Sequence, residues 1–229
     1  MKLSIVIPSY NESYTLETVV RELCEKVKTV ENSFEVIMVD NGSTDTTPDI
    51  LAALTREIPQ LRVLKIFPNK GYGNGILQGL GLAAGEILGW MHADSQVNPD
   101  DCIKVLEKLR NGNYGLCKVT RITREEPMVR IVLSALYNKL FKLFFGSPCS
   151  DVNASPKFFL RELYEKAHLQ SRDWFIDAEI AIKAVKLGYE IGEVPIVWRT
   201  RPGGASKVTM WVSLEFLKNM IIYRFFQKH

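Results

Sequence analysis

Four short apolar runs, each closed by a polar cluster and separated by segments with helical spacing, organise the first half of the chain. The runs are Leu3–Ile7, Phe34–Val39, Leu61–Ile66 and Glu86–Met91. Helical spacing fills Ser13 to Val30, Thr47 to Glu57, Gly75 to Ala84 and Asp100 to Arg110, with Pro48 suited to the first turn of its helix. Strand–helix alternation with short connections predicts an α/β fold whose mostly parallel sheet is flanked by helices on both faces. Ligands of such sheets bind beyond the carboxyl ends of the strands. The four polar clusters should therefore gather at one site.

The rest of the chain is less regular. Tyr114–Arg121 and Glu190–Trp198 predict strands. Met128 to Phe145 and Phe175 to Leu187 predict helices, the second closed by Gly188. Arg201 to Lys207 is a glycine-rich basic loop, and Trp211 to Phe226 reads as an amphipathic helix. With 229 residues and no low-complexity linker, the expected organisation is a single domain over 1–229. The expected divisions within it are residues 1–112, 113–210 and a C-terminal amphipathic segment, 211–229.

Composition narrows the function classes. A formal net charge of +3 suits phosphates or a lipid headgroup, and no dense basic run interleaved with aromatics points to nucleic acid. Cys24, Cys102, Cys117 and Cys149 form no Cys-x-x-Cys pair, which suits reduced thiols in the cytosol. No apolar run reaches the roughly 18 residues of a membrane span, and the N-terminus lacks the pattern of a signal peptide.

Each cluster has a plain reading beside a chemical one. Pro8-Ser9-Tyr10-Asn11-Glu12 is a strand-to-helix turn or a ligand loop. Asp40 can accept hydrogen bonds from a ribose or a base, while Asn41-Gly42 suits a turn and Ser43 or Asp45 suits a helix cap. Asn69-Lys70-Gly71-Tyr72-Gly73-Asn74-Gly75 has the make-up of a phosphate cradle, in which glycines admit a close ligand and Lys70 adds charge. It lacks a P-loop ending and does not follow the first strand, which speaks against an NTPase and an NAD enzyme. His92, Asp94 and Gln96 alternate along an extended segment, so imidazole, carboxylate and amide can converge on a divalent metal.

The ordered set resembles the family 2 glycosyltransferases of GT-A fold, and among them the polyprenyl-phosphate sugar transferases. The matching segments are Pro-Ser-Tyr-Asn-Glu, Val-Asp-Asn-Gly-Ser-Thr-Asp, Asn-Lys-Gly-Tyr-Gly, Ala-Asp-Ser-Gln and Arg-Pro-Gly-Gly-Ala-Ser-Lys, running from Pro8 to Lys207. The resemblance implies that residues 1–112 are a nucleotide-binding half and 113–210 an acceptor-binding half, and that Pro8, Tyr10, Glu12 and Asp40 hold the nucleoside of a nucleotide-diphospho-sugar. Asp45, Lys70 and Gly71 would line the same pocket. Asp94 would bind a divalent metal, Mn2+ or Mg2+, with Gln96 assisting. Arg121, Arg130, Arg201, Ser206 and Lys207 resemble the groups that grip phosphates, and Arg201 to Lys207 keeps the family's spacing. Asp177 stands where related enzymes carry an acid near the acceptor; it is equally a carboxylate at a helix N-terminus.

Two departures matter. His92 replaces the first carboxylate of the family's Asp-x-Asp, which predicts a preference for manganese or weaker metal binding. Asp151 to Phe158 keeps the family's aspartate but not its Gly-Phe-Arg. Met128 to Phe145 carries Arg130, Lys139 and Lys142 among apolar residues, a pattern that suits either a membrane interface or a packed helix. The expected activity is inverting hexosyl transfer to a polyprenyl phosphate by an enzyme peripheral to the cytoplasmic face of a membrane. The alternatives are transfer to a saccharide hydroxyl of a growing polysaccharide, and nucleotide-sugar binding without turnover.

Overall fold

A computed structural model of the chain describes residues 1–124, 128–203 and 210–225. The strands are β1 (Leu3–Ser9), β2 (Phe34–Asp40), β3 (Leu61–Lys65), β4 (Ile87–Trp90), β5 (Leu116–Arg124), β6 (Lys157–Leu160) and β7 (Ile191–Trp198). The helices are α1 (Leu16–Lys28), α2 (Thr47–Glu57), α3 (Tyr72–Leu82), α4 (Pro99–Asn111), α5 (Met128–Phe145), α6 (Arg161–Ala167), α7 (Ile176–Lys186) and α8 (Met210–Phe225).

The strands form one sheet in the order β3-β2-β1-β4-β6-β5-β7. β1 pairs in parallel with β2 and β4, β2 with β3, and β5 with β7. β6 runs antiparallel to both its neighbours. The expected mostly parallel sheet is thus present, with one inverted strand joining its two halves. β2 is buried along its whole length, because both faces are covered. Leu3, Ile5 and Ile7 face a core shared with α1, α2 and α4. Val6, Ile37 and Trp90 face a second core shared with α3, α7 and parts of α5 and α8.

β6 and α6 carry no sequence signal. β6 is four residues long and opens on Lys157, whose side chain is fully buried. Its partners explain how. Lys157 lies opposite Trp90 across the β4–β6 ladder, and its Nζ donates to Asp177 Oδ1 at 2.6 Å and to the Ala154 carbonyl at 2.7 Å. Trp90 Nε1 donates to the same carboxylate oxygen at 3.0 Å. Burial pushes the Lys157 ammonium down to about 8 against the pull of Asp177, which leaves it charged at neutral pH. Beside it, Lys118 is also fully buried; its Nζ donates to the Val119 carbonyl at 2.7 Å and to the Asp151 carbonyl. Both buried lysines thus direct their amines at oxygen acceptors, as burial demands.

Removing one partner of a buried pair strands the other charge. Lys157→Met is expected to lower unfolding free energy by about 3–5 kcal/mol, read as a shift of the urea midpoint. An unchanged midpoint would show that Asp177 is satisfied without the lysine.

Candidate active site

The loops after β1 and β2 lock together before any ligand is considered. Asn11 takes a left-handed conformation, φ 54°, and faces Ser43 and Thr44. Its amide N donates to Ser43 Oγ at 3.0 Å, and its Oδ1 accepts from the Thr44 amide at 2.8 Å. Asp45 accepts from the Ser13 amide at 3.2 Å and from the Thr47 amide at 3.0 Å. Burial pushes the Asp45 carboxyl up, but the bonds from Thr47 and Ser13 outweigh it and hold the carboxyl below its ordinary range. Asp45 thus staples the two loops and starts α2. Asp40, buried at the end of β2, accepts from the Ser43 amide at 3.0 Å.

The glycine run meets the chain's own backbone. Gly71 has φ 96°, and a Cβ there would lie 2.8 Å from the Arg172 carbonyl oxygen. A Cβ on Gly73 would lie 2.4 Å from the Asp173 carbonyl oxygen and 2.5 Å from that of Ser171. The Asn74 amide donates to the Arg172 carbonyl at 2.9 Å. These glycines therefore admit residues 171–173, and α3 begins at Tyr72 rather than at Gly75, where the spacing alone puts it. Glu179 holds the approaching loop by accepting from the Gln170 and Ser171 amides, the latter at 2.8 Å. Asn41, buried at the end of β2, ties the run to the sheet: its Nδ2 donates to the Gly71 carbonyl at 2.8 Å and its Oδ1 accepts from the Lys70 amide at 3.2 Å. Lys70 itself is exposed.

Beyond β4, His92 and Asp94 are half-buried while Ala93 between them packs into the core. Asp94 Oδ1 accepts from the Gln96 amide at 3.2 Å. Gln96 directs Nε2 to the Arg199 carbonyl at 3.0 Å, which ties this loop to the segment after β7. The His92 ring stacks on Tyr72, centroids 5.5 Å apart at 18°, with Nε2 3.4 Å from the Tyr72 hydroxyl. Tyr72 also stacks on Trp174 at 4.2 Å and 14°. Burial first, then the charges of Asp177 and Asp94, push the Tyr72 phenol well above its ordinary range, so it keeps its proton.

Among the described residues no three His, Cys, Asp or Glu side chains are grouped to hold a metal ion. Asp94 and His92 offer one carboxylate and one imidazole, a donor set that would suit a divalent cation only with further ligands from elsewhere.

The basic residues lie in three situations. Arg201 pairs with Glu12, both largely buried, and its Nε donates to the Gly203 carbonyl at 2.8 Å. A late loop thereby closes over the first one. Arg121 is forked onto Asp151, Nε to Oδ2 at 2.6 Å and a terminal nitrogen to Oδ1 at 2.8 Å, and lies over Trp198 at 5.0 Å. The edge of the guanidinium that suits a phosphate is thus already turned to a carboxylate. Arg130 is half-buried in the first turn of α5. Ser206 and Lys207 lie outside the described residues. Asp177 is almost fully buried under the Trp90 and Lys157 donors. Pro8 and Tyr10 stand at the end of β1, Pro8 half-buried and Tyr10 exposed. Sequence reasoning passed over Tyr72, Trp174, Asn41 and Lys157. An aromatic inside a glycine run was the one available signal, for Tyr72.

Comparison with known proteins gives a consistent picture. Residues 4–167 match the family model described as Glycosyl transferase family 2. The glycosyltransferase AglD of Haloferax volcanii is 29% identical over 92% of this chain. The undecaprenyl-phosphate 4-deoxy-4-formamido-L-arabinose transferase of Yersinia enterocolitica is 26% identical over 96%. The chain spans 35% of the first relative's length and 66% of the second's. A crystal structure of glucosyl-3-phosphoglycerate synthase from Mycobacterium tuberculosis, in complex with Mn2+, UDP and phosphoglyceric acid, superposes on all of this chain and 80% of its own, with TM-score 0.79 at 18% identity. That likeness establishes the GT-A fold.

The docking of Gly73 can be tested against Gly81 in the same helix. Gly73→Ala forces backbone apart and is expected to destabilise by about 2–3 kcal/mol. Gly81→Ala, whose Cβ would meet nothing within 4 Å, should stabilise by about 0.5–1 kcal/mol. Equal effects of the two in thermal unfolding would contradict the docking of residues 171–173 on α3.

Proposed function

The chain belongs to glycosyl transferase family 2, and on that premise we propose that it moves a sugar from a nucleotide-diphospho-sugar to a polyprenyl phosphate with inversion at the anomeric carbon. The donor half of this reading rests on the carboxyl edge of β1, β2 and β4, where Pro8, Tyr10, Glu12 and Asp40 would hold the nucleoside and Asp45 and Gly71 shape the loops around it. His92 and Asp94 would hold the metal, with Gln96 fixing their loop. A bound Mn2+ or Mg2+ supplies positive charge to the leaving diphosphate. Arg201 adds a second cation there once it leaves Glu12.

The single observation that carries the acceptor is the state of the two acids on α7. Asp177 and Glu179 are each 2% exposed. Asp177 accepts from Trp90 and Lys157, and Glu179 from the amides of Gln170 and Ser171. A saccharide hydroxyl needs a base to take its proton; a phosphate is already ionised and needs none. Two acids spent on structure suit the phosphate, and the Yersinia relative acts on undecaprenyl phosphate by its name. Arg130, Ser206 and Lys207 would meet that phosphate, with Arg121 sharing it with Asp151.

A lipid acceptor asks for a membrane surface, and α5 and α8 offer one. Val129, Val132, Leu136 and Leu143 on α5, and Ile221, Ile222 and Phe225 on α8, are exposed apolar side chains on two helices that touch through Phe144 and Phe225 at 5.9 Å. Lys139, Lys142 and Arg224 are exposed beside them. No helix of the described residues is long and apolar enough to cross a bilayer. An apolar face with basic flanks suits the plane of an anionic membrane surface, with the cytoplasmic leaflet as the expected one.

Two measurements test the proposal. Incubation of a panel of nucleotide sugars with detergent-dispersed polyprenyl phosphate and Mn2+ should yield lipid-extractable sugar from one donor, and Asp94→Asn should reduce the rate about a hundredfold or more. Donor hydrolysis without lipid product would point to another acceptor, and no turnover to a binding protein. Separately, Val132→Asp with Leu136→Asp should weaken binding to phosphatidylglycerol vesicles about tenfold or more; undiminished binding would remove α5 from the membrane surface.

A further inference from the structure

Glu12 and Arg201 lie 189 residues apart in the chain and form an ion pair whose side chains are only 11% and 14% exposed. Charges so nearly enclosed need partners, and taking one away leaves the other uncompensated. The two ends of this pair are not equally free. Glu12 is built into the start of α1: its amide donates to Thr47 Oγ1 at 3.1 Å, and its carbonyl accepts from the Thr15 amide at 3.1 Å and the Leu16 amide at 3.0 Å. Arg201 rides on a strap, residues 199–203, that follows β7.

The strap has a fixed end and a seated end. At Arg199 it is bonded both ways to Gln96: the Arg199 amide donates to the Gln96 carbonyl at 3.1 Å, and Gln96 Nε2 donates to the Arg199 carbonyl at 3.0 Å. At Gly203 it rests on the Tyr14 ring, 2.4 Å from where a Cβ would stand. Between these ends Thr200 and Pro202 are exposed. A cavity of about 480 Å³ is lined by Arg199, Thr200 and Pro202 of the strap together with Tyr14, Thr18 and Ser95. A segment held by one ion pair beside a cavity can lift without breaking the core. When the pair opens, Glu12 stays and Arg201 leaves.

We propose that the Glu12–Arg201 pair makes the donor site select nucleosides that carry a diphosphate over nucleosides that do not. The inference deepens the proposed donor site and rests on it. A nucleoside that takes Glu12 displaces Arg201 and gives it nothing in return. A nucleoside diphosphate supplies hydroxyls to Glu12 and an anion to Arg201, so both charges are re-partnered. Discrimination then comes from the charge an incomplete ligand would strand, which rejects more sharply than a missing attraction does.

Arg201→Ala removes the competitor for Glu12 and the contact to phosphate together. The common nucleosides and their diphosphates, titrated with Mn2+ present by calorimetry, or by ligand-observed NMR where binding is weak, separate the roles. The nucleoside that binds should bind about tenfold tighter in the variant, because no fraction of the protein is held in the closed form. Its diphosphate should bind no tighter than before, so the preference for diphosphate falls about tenfold or more. Unchanged nucleoside affinity with weakened diphosphate would make Arg201 a phosphate contact only and overturn the proposal. Weakening of both alike would make it a support of the fold, with the same consequence. If no nucleoside diphosphate binds the unmodified protein, the donor-site reading falls and the proposal with it. A second variant tests the motion. A Cβ on Gly203 would lie 2.9 Å from Tyr14 Cγ, which puts the two Cβ positions within about 4.4 Å, inside disulfide reach. The native cysteines are all buried and do not compete. In Tyr14→Cys with Gly203→Cys, oxidation should weaken diphosphate binding about tenfold or more and reductant should restore it. Equal binding in the oxidised and reduced forms would show that the strap need not move, and would overturn the proposal.

Discussion

One buried carboxylate holds the molecule together at its least regular point. β4 and β6 meet antiparallel in the middle of an otherwise largely parallel sheet, and Asp177 from α7 accepts there from Trp90 of β4 and Lys157 of β6. Three elements distant in sequence are pinned by one oxygen atom. An ion pair so deep adds little net stability over an apolar packing of the same shape. What it supplies is direction: only one placement of α7 satisfies both donors. That placement sets Glu179, two residues on, to collect the amides of Gln170 and Ser171. The loop so gathered is the one that packs on Gly71 and Gly73, and it decides where α3 begins.

This dependence explains what was legible in the sequence. The alternation of strand and helix was plain, because strands buried on both faces are largely apolar, as β1 and β2 are before their last residues, apart from Ser4 and Glu35, which bond to each other. The gathering of the polar clusters followed from topology alone. β6 was hidden, since four residues led by a lysine look like nothing until Asp177 is beside them. The glycine run was read as making room for a phosphate; it makes room for a carbonyl from a hundred residues later. Nothing local distinguishes the two, because a glycine records only that something comes close. Arg121 shows the same limit from the other side. Its guanidinium suits a phosphate, and a carboxylate of the chain, Asp151, has the matching geometry and takes it.

The site is therefore one in which most polar groups are already bonded to the chain. Asp45 is spent on two amides, Asn41 on the glycine run and Asn11 on the loop after β2. Such bonds fix the loops before a ligand arrives, and a preordered site loses less entropy on binding. The Glu12–Arg201 pair is different in kind. It joins the first loop of the chain to a segment after the last strand, and both side chains belong to the set expected to meet the donor. Under the proposed function, a nucleoside on Glu12 and a diphosphate near Arg201 would compete with that bond and so couple donor entry to the position of the loop after β7.

The last helix, α8, shares its footing with this site. Asn219 of α8 donates to Asp173 at 2.8 Å, and Phe216 of α8 meets Trp174 edge-on at 6.3 Å. Asp173 belongs to the loop packed on the glycines, and Trp174 stacks on Tyr72, which reaches His92. The residues after α6 are thus held by three elements: by Glu179 of α7, by α3 and by α8. A force that reorients α8, such as insertion of Ile221, Ile222 and Phe225 into a lipid surface, acts on the same few residues that set the start of α3 and the ring facing His92. Packed side chains with short bonds do not deform smoothly; they keep one arrangement or exchange it for another. If α8 seats on a lipid surface as proposed, that seating and the order of the donor end of the site are coupled through residues 170–174.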